Sequence, residues 1–368
     1  MPEQSLPFKE IQPLRDSAIL LLKQLISIPS FSKQEDKTAS AISTFLETHS
    51  IPFERYLNNI WAVNKYFDAS KPTILLNSHH DTVQPNSGYT VDPYDPAEKD
   101  GKLYGLGSND AGGCLVSLIA TFVYFYSQPS LKYNLVLAAT AEEEISGHNG
   151  VEALLEERAF SKYLVNEVCA IVGEPTQMQM AVAEKGLMVL DCLARGVAGH
   201  AARNEGDNAI YKAITDIHWF QSFSFPKVSD LLGAVKMSVT SIQTANKAHN
   251  VVPGECTFVV DLRVNELYLF EEVISIIRDH VSCEVKPRST RLRSSSISRD
   301  HPLIKAGRLL ERKSYGSPTT SDKALMPFPS LKMGPGDSAR SHSADEYIFT
   351  DEIRNGINLY IQLLNQLV

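Results

Sequence analysis

The sequence predicts an α/β fold in which a doubly wound, mainly parallel sheet forms the main domain and a smaller α+β domain is inserted into it. Three runs of residues, 73–77, 133–140 and 168–173, are apolar on both faces, which is typical of strands buried in a parallel sheet. Between them, the apolar side chains of residues 114–126 recur at helical spacing. The 368 residues are also too many for one ordinary core.

The elements that precede this sheet are predicted to be helices. Residues 17–28 and 38–46 each place apolar side chains at helical spacing, beginning with Ile19, Leu22 and Leu25 in the first stretch. In an open parallel sheet, ligands bind beyond the carboxyl ends of the strands. Polar side chains that follow the three apolar runs are therefore candidates for a functional site.

An inserted domain is indicated where the pattern changes. Its predicted elements are two alternating strands and two helices, at residues 187–194, 255–263, 208–220 and 271–280. These elements predict an α+β domain over residues 182–293, with the main domain formed by residues 1–181 and 294–368. The serine- and arginine-rich stretch 287–298 would carry the chain back.

The composition argues against nucleic acid and membrane partners. With 35 Lys and Arg against 43 Asp and Glu, the formal net charge is -8, and no basic block offers a surface for phosphates. The longest apolar stretch, residues 114–126, is too short to span a bilayer. Residues 1–10 lack the basic start and apolar run of a secretory signal. The five scattered cysteines form no C-x-x-C pair, which favours free thiols, so we expect a cytoplasmic protein.

Several acidic and histidine-bearing segments together contain the ligands that two metal ions need. They are His79 with Asp81, Asp110, Glu143 with Glu144, Glu174, and His342. The set supplies one carboxylate to bridge two ions, two further ligands for each ion, and one carboxylate to move a proton. A lone His or Asp in a loop is usually a solvated side chain, so the prediction depends on the whole set.

His79 and Asp81 directly follow the first apolar run, in the segment Asn77-Ser-His-His-Asp. Successive side chains of an extended chain point to opposite sides, so His79 and Asp81 face together while His80 turns away. A histidine that binds a metal usually donates its other ring N–H to a carboxylate. Asp81 is the candidate for that orienting role.

Asp110 lies in the glycine-rich segment 105–113, which has two interpretations. A glycine-rich turn before an apolar helix can hold a dinucleotide phosphate, but the spacing is not the full G-x-G-x-x-G and no acidic residue closes a second strand at the right distance. Alternatively, the glycines let the backbone turn sharply so that Asp110 projects into the site and bridges two ions.

Three successive carboxylates, from Glu142 to Glu144, follow the second apolar run. Such a run usually marks a solvated loop, but here it follows a strand predicted to be buried. A nearby dication would relieve the repulsion, with Glu144 as a ligand and Glu143 left to take a proton from water. Nitrogen and oxygen ligands without thiolate favour two Zn²⁺ ions, with Co²⁺ or Mn²⁺ as alternatives.

The ordered motifs resemble the M20 metallopeptidase family over nearly the whole chain. The matching segments are Ser-His-His-Asp81, Gly-Leu-Gly-Ser-Asn-Asp110, Ala-Glu-Glu-Glu144, Ile-Val-Gly-Glu174-Pro, and Gly-Pro-Gly334–336 with the residues up to His342. The family includes acetylornithine deacetylase, succinyl-diaminopimelate desuccinylase, aminoacylase, carboxypeptidases and dipeptidases. Two positions depart from its pattern, because Ser78 stands where glycine is usual and Glu142 stands where aspartate is usual.

The resemblance implies a ligand set for two metal ions. His79 and Glu174 would bind one ion, and His342 and Glu144 would bind the other. Asp110 would bridge them. With neutral imidazoles, the three ligand carboxylates and one hydroxide would balance the charge of two divalent ions.

The resemblance also implies residues that act on the substrate. Glu143 would be the general base, and Asp81 would orient His79. In the inserted domain, which resembles the family's lid and dimerisation domain, His200 matches a histidine that reaches across a homodimer to the substrate carbonyl oxygen. Asn250 and Arg263 match positions that contact substrate, and Arg263 could pair with a substrate carboxylate. Without the resemblance, His200 is typical of a loop histidine and Arg263 of a surface residue.

The implied reaction is hydrolysis of the amide bond of an N-acyl amino acid. Residues 173–176 and 334–337, with Asp345 and Glu346, look most like the acetylornithine deacetylase group, so the expected substrate is N-acetylornithine, or another N-acyl ornithine or citrulline, in arginine biosynthesis. Desuccinylase, aminoacylase and dipeptidase activities remain open. A catalytically silent binding protein on the same fold is a further alternative.

Overall fold

A computed structural model describes residues 8–203 and 205–367 of the chain. Residues 1–7, on which the expectation of no secretory signal partly depends, lie outside this range. The described residues form two compact units, the first within 1–182, 297–315 and 321–368 and the second within 183–296 and 316–320. The predicted insertion, 182–293, does not include 316–320. None of the described helices has both the length and the apolar character that crossing a membrane requires.

The bounds of the regular elements follow in chain order. The α-helices are α1 (Phe8–Ile26), α2 (Asp36–Thr48), α3 (Gly113–Phe125), α4 (Val151–Glu156), α5 (Arg158–Ser161), α6 (Ala209–Ser222), α7 (Phe270–Arg278), α8 (Pro302–Leu309) and α9 (Thr350–Asn365). The β-strands are β1 (Glu54–Tyr56), β2 (Asn59–Val63), β3 (Thr73–His79), β4 (Glu98–Lys99), β5 (Lys102–Tyr104), β6 (Asn134–Thr140), β7 (Val168–Val172), β8 (Met180–Glu184), β9 (Gly186–Arg195), β10 (Gly199–His200), β11 (Lys236–Gln243), β12 (Val251–Val252), β13 (Glu255–Val264), β14 (Glu284–Pro287), β15 (Ser295–Ser296), β16 (Ser314–Ser317), β17 (Ser330–Lys332) and β18 (Tyr347–Phe349). The first helix begins at Phe8 rather than at the predicted residue 17, and it includes Pro13 in its second turn.

A sheet with the strand order β1-β2-β6-β3-β7-β17-β8 organises the first unit. Its central strands β6, β3, β7 and β17 are parallel, while β1, β2 and β8 join the sheet in antiparallel pairs. Every residue of β3 and β6 is buried, as expected for strands that are apolar on both faces.

Helices cover both faces of this sheet. On one face, α3 packs against β3 and β6, and α1 and α9 pack against α3. On the other face, Val151 and Leu154 of α4 and Phe160 of α5 share a buried cluster with Leu75 and Val136. This arrangement confirms the predicted doubly wound α/β fold.

The second unit contains an antiparallel sheet with the strand order β11-β13-β9-β14. Phe220 of α6 and Phe270 of α7 belong to the same buried cluster as Phe258 and Leu190 of the sheet. The short strands β10 and β12 pair separately, with His200 opposite Val251. This unit therefore has its own core and the α+β composition that its sequence predicts.

Candidate metal centre

The carboxyl ends of β3, β6, β7 and β17 lie at one edge of the sheet, because these four strands are parallel. Most predicted ligands are at this edge: His79 as the last residue of β3, Glu143 and Glu144 after β6, Glu174 after β7, and His342 in the segment after β17. The parallel topology therefore brings these distant stretches of chain to one place.

Asp110 reaches the same place from an irregular turn, Ser108–Gly112, just before α3. The turn begins after Gly107, whose φ of 74° favours glycine. A Cβ atom on Gly107 would also lie 2.5 Å from Cγ2 of Thr82. The glycine is thus needed for the sharp turn, which agrees with the second interpretation of this segment.

The imidazole of His79 faces three carboxylates. Its Nε2 atom lies 3.5 Å from Oδ1 of Asp110, 3.7 Å from Oε1 of Glu174 and 3.8 Å from Oε2 of Glu143. These separations are too long for good hydrogen bonds. The Nε2 atom is buried and has no hydrogen-bond partner.

A second imidazole lies at the other side of Asp110. His342 Nε2 is 3.0 Å from Oε2 of Glu144 and 3.7 Å from Oδ2 of Asp110. The two oxygens of Asp110 therefore face different imidazoles. Unlike His79, the His342 side chain is 56% exposed, so this part of the cluster is open to solvent.

The side chains of this cluster fit divalent cations. Ligand atoms of His79, Asp110 and Glu144 lie within 4.8 Å of one another, and so do those of His79, Glu143 and Glu174. A cation would supply the partner that His79 Nε2 lacks and would relieve the repulsion among the carboxylates. Imidazole nitrogens with carboxylate oxygens are ligands that Zn²⁺, Co²⁺ and Mn²⁺ accept. Glu143 lies among these candidates, so proximity alone does not separate a ligand from a proton carrier.

Asp81 supports the cluster through its carboxylate and its main chain. Its Oδ1 atom accepts a hydrogen bond from the backbone N–H of Glu143 at 3.1 Å, and its Oδ2 atom accepts one from the N–H of Glu144 at 3.2 Å. The Nδ1 atom of His79 lies 3.0 Å from the carbonyl oxygen of Asp81 and 3.3 Å from Oδ1. The closer partner of His79 is thus the carbonyl group rather than the expected carboxylate.

The charges of the cluster shift the pKa values of its members. Burial lowers the pKa of His79, but the surrounding carboxylates, Glu143 first, raise it well above its usual range overall. The hydrogen bond that His342 donates to Glu144, together with the charge of that carboxylate, raises the pKa of His342 to about 9. Burial raises the pKa of Glu143 well above its usual range, although His79 opposes this effect. In the metal-free protein, protons on the two imidazoles therefore balance part of the negative charge of the carboxylates.

The two departures from the family pattern have local explanations. Ser78 fits where glycine is usual, and its hydroxyl group donates to the carbonyl oxygen of Gly173 at 2.8 Å, which links the end of β3 to the residue before Glu174. The side chain of Glu142 is paired with Asn149 rather than with the cluster, because its Oε1 atom accepts a hydrogen bond from Nδ2 of Asn149 at 2.8 Å.

The other predicted site residues belong to the second unit. His200 is exposed on β10, and Asn250 directly precedes β12. The N–H of Ala201 donates to the carbonyl oxygen of Asn250 at 3.0 Å, so these two residues are neighbours. Arg263 lies on β13, where its Nε atom is 2.9 Å from Oδ1 of Asp261.

The sequence gives no signal for two further polar residues of the first unit. Ser32 donates from its hydroxyl group to Oδ2 of Asp81 at 2.7 Å. Buried Asp322 accepts a hydrogen bond from Oγ1 of Thr140 at 2.7 Å, and Nδ2 of Asn77 donates to the same hydroxyl group at 3.0 Å. This second network joins the ends of β3 and β6 close to His79.

Comparison with known proteins identifies the family. The sequence profile of peptidase family M20/M25/M40 matches residues 75–366, so the chain belongs to this family of hydrolases. A curated relative, succinyl-diaminopimelate desuccinylase 2 of a Ruegeria species, is 24% identical over 275 residues, which cover 71% of this chain and 68% of the relative.

Solved structures share the fold. An M20 family metallo-carboxypeptidase from Sulfolobus solfataricus superposes with a TM-score of 0.74 at 16% identity, covering 96% of this chain and 99% of that one. A dinuclear metal binding peptidase of the M20 family from Bacillus subtilis superposes with a TM-score of 0.72 at 16% identity, covering 96% of this chain and 98% of that one. At these identities the likeness concerns the fold alone.

Proposed function

We propose that this protein hydrolyses the amide bond of an N-acyl amino acid at a centre of two metal ions. The observation that carries the proposal is the position of Asp110, whose two oxygens face His79 and His342 at 3.5 and 3.7 Å. A carboxylate between two imidazole groups is what a bridged pair of ions requires. Membership of the M20 family supports the hydrolytic reaction.

The proposed ligands form two sets around Asp110. His79 and Glu174 would hold one ion, and His342 and Glu144 would hold the other. The paired atoms lie 3.7 Å apart in the first set and 3.0 Å apart in the second. Zn²⁺ ions bound there, or Co²⁺ or Mn²⁺ in their place, would polarise the amide carbonyl group and lower the pKa of a water molecule.

Glu143 is the proposed general base. Its N–H donates to Oδ1 of Asp81, which fixes its main chain beside the cluster. Burial raises the pKa of its carboxyl group, which suits a residue that takes a proton from the attacking water and then gives it to the leaving amine nitrogen. Asp81 orients both Glu143 and His79 through the hydrogen bonds already described.

His200, Asn250 and Arg263 are the proposed substrate contacts in the second unit, and their assignment rests on the family resemblance. His200 would donate a hydrogen bond to the carbonyl oxygen as negative charge develops there. Arg263 would pair with a substrate carboxylate, which would have to compete with Asp261 for the guanidinium group.

A homodimer formed through the second unit is part of the proposal. This unit exposes several large apolar side chains, namely Val197, Tyr211, Ile214, Ile242 and Val251. Its strand β11 also lies at the edge of the four-stranded sheet. Exposed apolar residues and an open sheet edge are typical features of a surface that pairs with another chain.

The favoured substrate is N-acetylornithine, or another N-acyl ornithine or citrulline, in arginine biosynthesis. Two of the segments that suggest this group pair with each other, since Thr176 lies opposite Asp337 and Nε2 of Gln177 donates to Oδ2 of Asp337 at 2.6 Å. Succinyl-diaminopimelate is the second candidate, because the curated relative at 24% identity is a desuccinylase.

We also propose a cytoplasmic location, since all five cysteines are free and buried.

A substrate panel tests the proposed reaction. The purified protein would be assayed with Zn²⁺ or Co²⁺ against acetylornithine, acetylcitrulline, their succinyl analogues, succinyl-diaminopimelate and simple dipeptides. We expect the fastest release of free amine from an acyl ornithine or citrulline. Preference for succinyl-diaminopimelate would select the second candidate, and absence of turnover with two bound metals would refute amide hydrolysis.

A Glu143→Gln variant tests the proposed base. We expect turnover to fall by about 10²–10⁴-fold, because the amide cannot take up a proton, while two metals per chain remain bound in elemental analysis. Glu142→Gln is the matched control, since it makes the same change one residue earlier on a side chain that accepts from Asn149. Near-full activity of Glu143→Gln would refute the role.

A further inference from the structure

Glu346 places a buried carboxylate against the turn that carries Asp110. Its Oε1 atom accepts hydrogen bonds from the backbone N–H groups of Asn109 at 2.8 Å and Asp110 at 2.9 Å. Its Oε2 atom accepts one from the N–H of Gly107 at 3.0 Å. The residue is 2% exposed, so these three N–H groups share one acceptor group away from solvent.

A carboxylate is well suited to this position. The turn has irregular backbone at Asp110, with φ of -117° and ψ of 99°, so its N–H groups are not paired as in a regular helix. Buried N–H groups need acceptors, and an ionised carboxylate has two oxygens that only accept. A glutamine in place of Glu346 would keep one acceptor and turn an NH₂ group towards an N–H group.

The same residue connects two segments that carry proposed ligands. Glu346 lies four residues after His342, and its own carbonyl oxygen accepts from the N–H of Gly105 at 3.0 Å. Directly after it, β18 pairs with β5, with Tyr347 opposite Tyr104. The main chain beyond His342 is therefore joined to the main chain before Asp110.

A second connection joins these segments on the other side of His342. Nδ2 of Asn109 donates to the carbonyl oxygen of Asp337 at 3.0 Å, and Oδ1 of Asn109 accepts from the N–H of Asp337 at 3.0 Å. Asn109 is fully buried. The turn of Asp110 thus contacts the segment of His342 both before and after that histidine.

We propose that Glu346 is a positioning residue of the metal centre, which fixes the main chain of Asp110 and holds it at a set distance from His342. It would not be a ligand, because both of its oxygens already accept hydrogen bonds from the turn. This inference rests on the proposed function, since it assigns Glu346 to the bridging ligand of that centre.

Metal binding by purified variants tests the inference. Metal-free wild type and Glu346→Gln would be titrated with Zn²⁺ against a competing chelator, and with Co²⁺ followed by its visible absorption. We expect Glu346→Gln to bind metal about 10–100-fold more weakly, as is usual when a group that orients a ligand is altered. The Co²⁺ spectrum should change as well, and the loss of activity should fall mainly on kcat rather than KM.

Asp216→Asn is the matched control. Asp216 is another buried carboxylate, in the second unit, and it accepts from the backbone N–H groups of Ser282 at 3.0 Å and Cys283 at 2.9 Å. Its substitution reproduces the general loss of a buried carboxylate, so it should change thermal stability but leave metal affinity within about twofold. If Glu346→Gln does not fold, Glu346→Asp applies the same test, because it keeps the charge but is too short to reach all three N–H groups.

The outcomes are distinct. Wild-type affinity and an unchanged Co²⁺ spectrum in the Glu346 variants would overturn the inference while leaving the proposed function intact. Equal loss of metal in Asp216→Asn would also overturn it, since the effect would then reflect general destabilisation. A wild-type protein that binds no divalent metal would remove the proposed metal centre and this inference together.

Discussion

Substitution of Asp81 by asparagine should destabilise the metal-free protein markedly. One oxygen of Asp81 faces the N–H of Glu143 and the Nδ1 atom of His79, and the other faces the N–H of Glu144 and the hydroxyl group of Ser32. In either orientation of the new amide, its NH₂ group faces a backbone N–H that then lacks an acceptor.

The size of the loss follows from these contacts. An unpaired N–H group in a buried site costs about 1–3 kcal/mol, and removal of one partner from a buried charged pair costs about 3–5 kcal/mol. Because the two effects share the same contacts and do not add fully, we expect the free energy of unfolding to fall by about 2–5 kcal/mol. Asp300 is an exposed aspartate of the same unit and provides the control. The Asp300→Asn substitution should change the free energy of unfolding by less than about 0.5 kcal/mol.

The pH dependence gives this prediction a second check. Burial alone would raise the pKa of Asp81, but the hydrogen bond and charge of His79, with a hydrogen bond from Ser32, hold it below its usual value. A lowered carboxyl pKa stabilises the fold above the unfolded value of about 3.9, and this contribution disappears as pH falls through the folded value. The difference in the free energy of unfolding between wild type and Asp81→Asn should therefore reach its full value near pH 6 and decrease below about pH 4.

Urea unfolding of chelator-treated protein measures the effect. The chain has two tryptophans, and Trp61 lies in the core of the first unit while Trp219 lies in the second. In a Trp219→Phe background, fluorescence therefore reports the unit that contains Asp81. A loss below about 1 kcal/mol at pH 6, or a difference that persists unchanged at pH 3, would refute the role assigned to this carboxylate.

Three further predictions concern metal and assembly. Zn²⁺ at 100 times its dissociation constant should stabilise the metal-free protein by about 2.7 kcal/mol, and an identical melting temperature with and without Zn²⁺ would contradict the proposed metal centre. Zn²⁺ binding at pH 7 should release protons, because neighbouring carboxylates raise the pKa of His79, and that of His342 to about 9, whereas an imidazole that binds a metal must be neutral. The apparent affinity for Zn²⁺ should therefore rise towards pH 9. Calorimetry in buffers of different ionisation enthalpy measures the number of protons released, and a value of zero would contradict this prediction. Tyr211→Glu should convert the proposed dimer to a monomer in light scattering, since Tyr211 is 70% exposed on α6, and a monomeric wild type would rule out the dimer.

The positions of the main ligands were predictable because they depend on local pattern. Apolar runs define β3, β6 and β7, and parallel strands necessarily bring their carboxyl ends to one edge. His79, Glu143 and Glu174 follow those runs closely, so their convergence follows from the strand assignments. The roles of these residues remain predictions, which the metal and variant experiments address.

The supporting contacts could not be predicted in this way. Ser32 is 49 positions from Asp81, and Glu346 is 236 positions from Asp110. Ser32 does not stand out from ordinary loop residues in the sequence, and Glu346 stands out only through the family resemblance. Their contacts could not be predicted, because the buried groups that each one pairs with are supplied by other segments. Exposed His200 and half-buried Arg263 likewise gave no local signal beyond the family resemblance.

The sequence by itself determined the main strands and helices of both units, the family, and which side chains have the chemistry of metal ligands. Only the tertiary structure decided which carboxylate faces which imidazole, as with Glu144 and His342, 198 positions apart. The physical reason is that local periodicity fixes helices and strands, whereas neighbours at the sheet edge depend on the order β6-β3-β7-β17, which differs from the order along the chain. The contacts of Glu346 likewise depend on the tertiary structure, because the pairing of β18 with β5 lies directly beside this residue and the turn of Asp110.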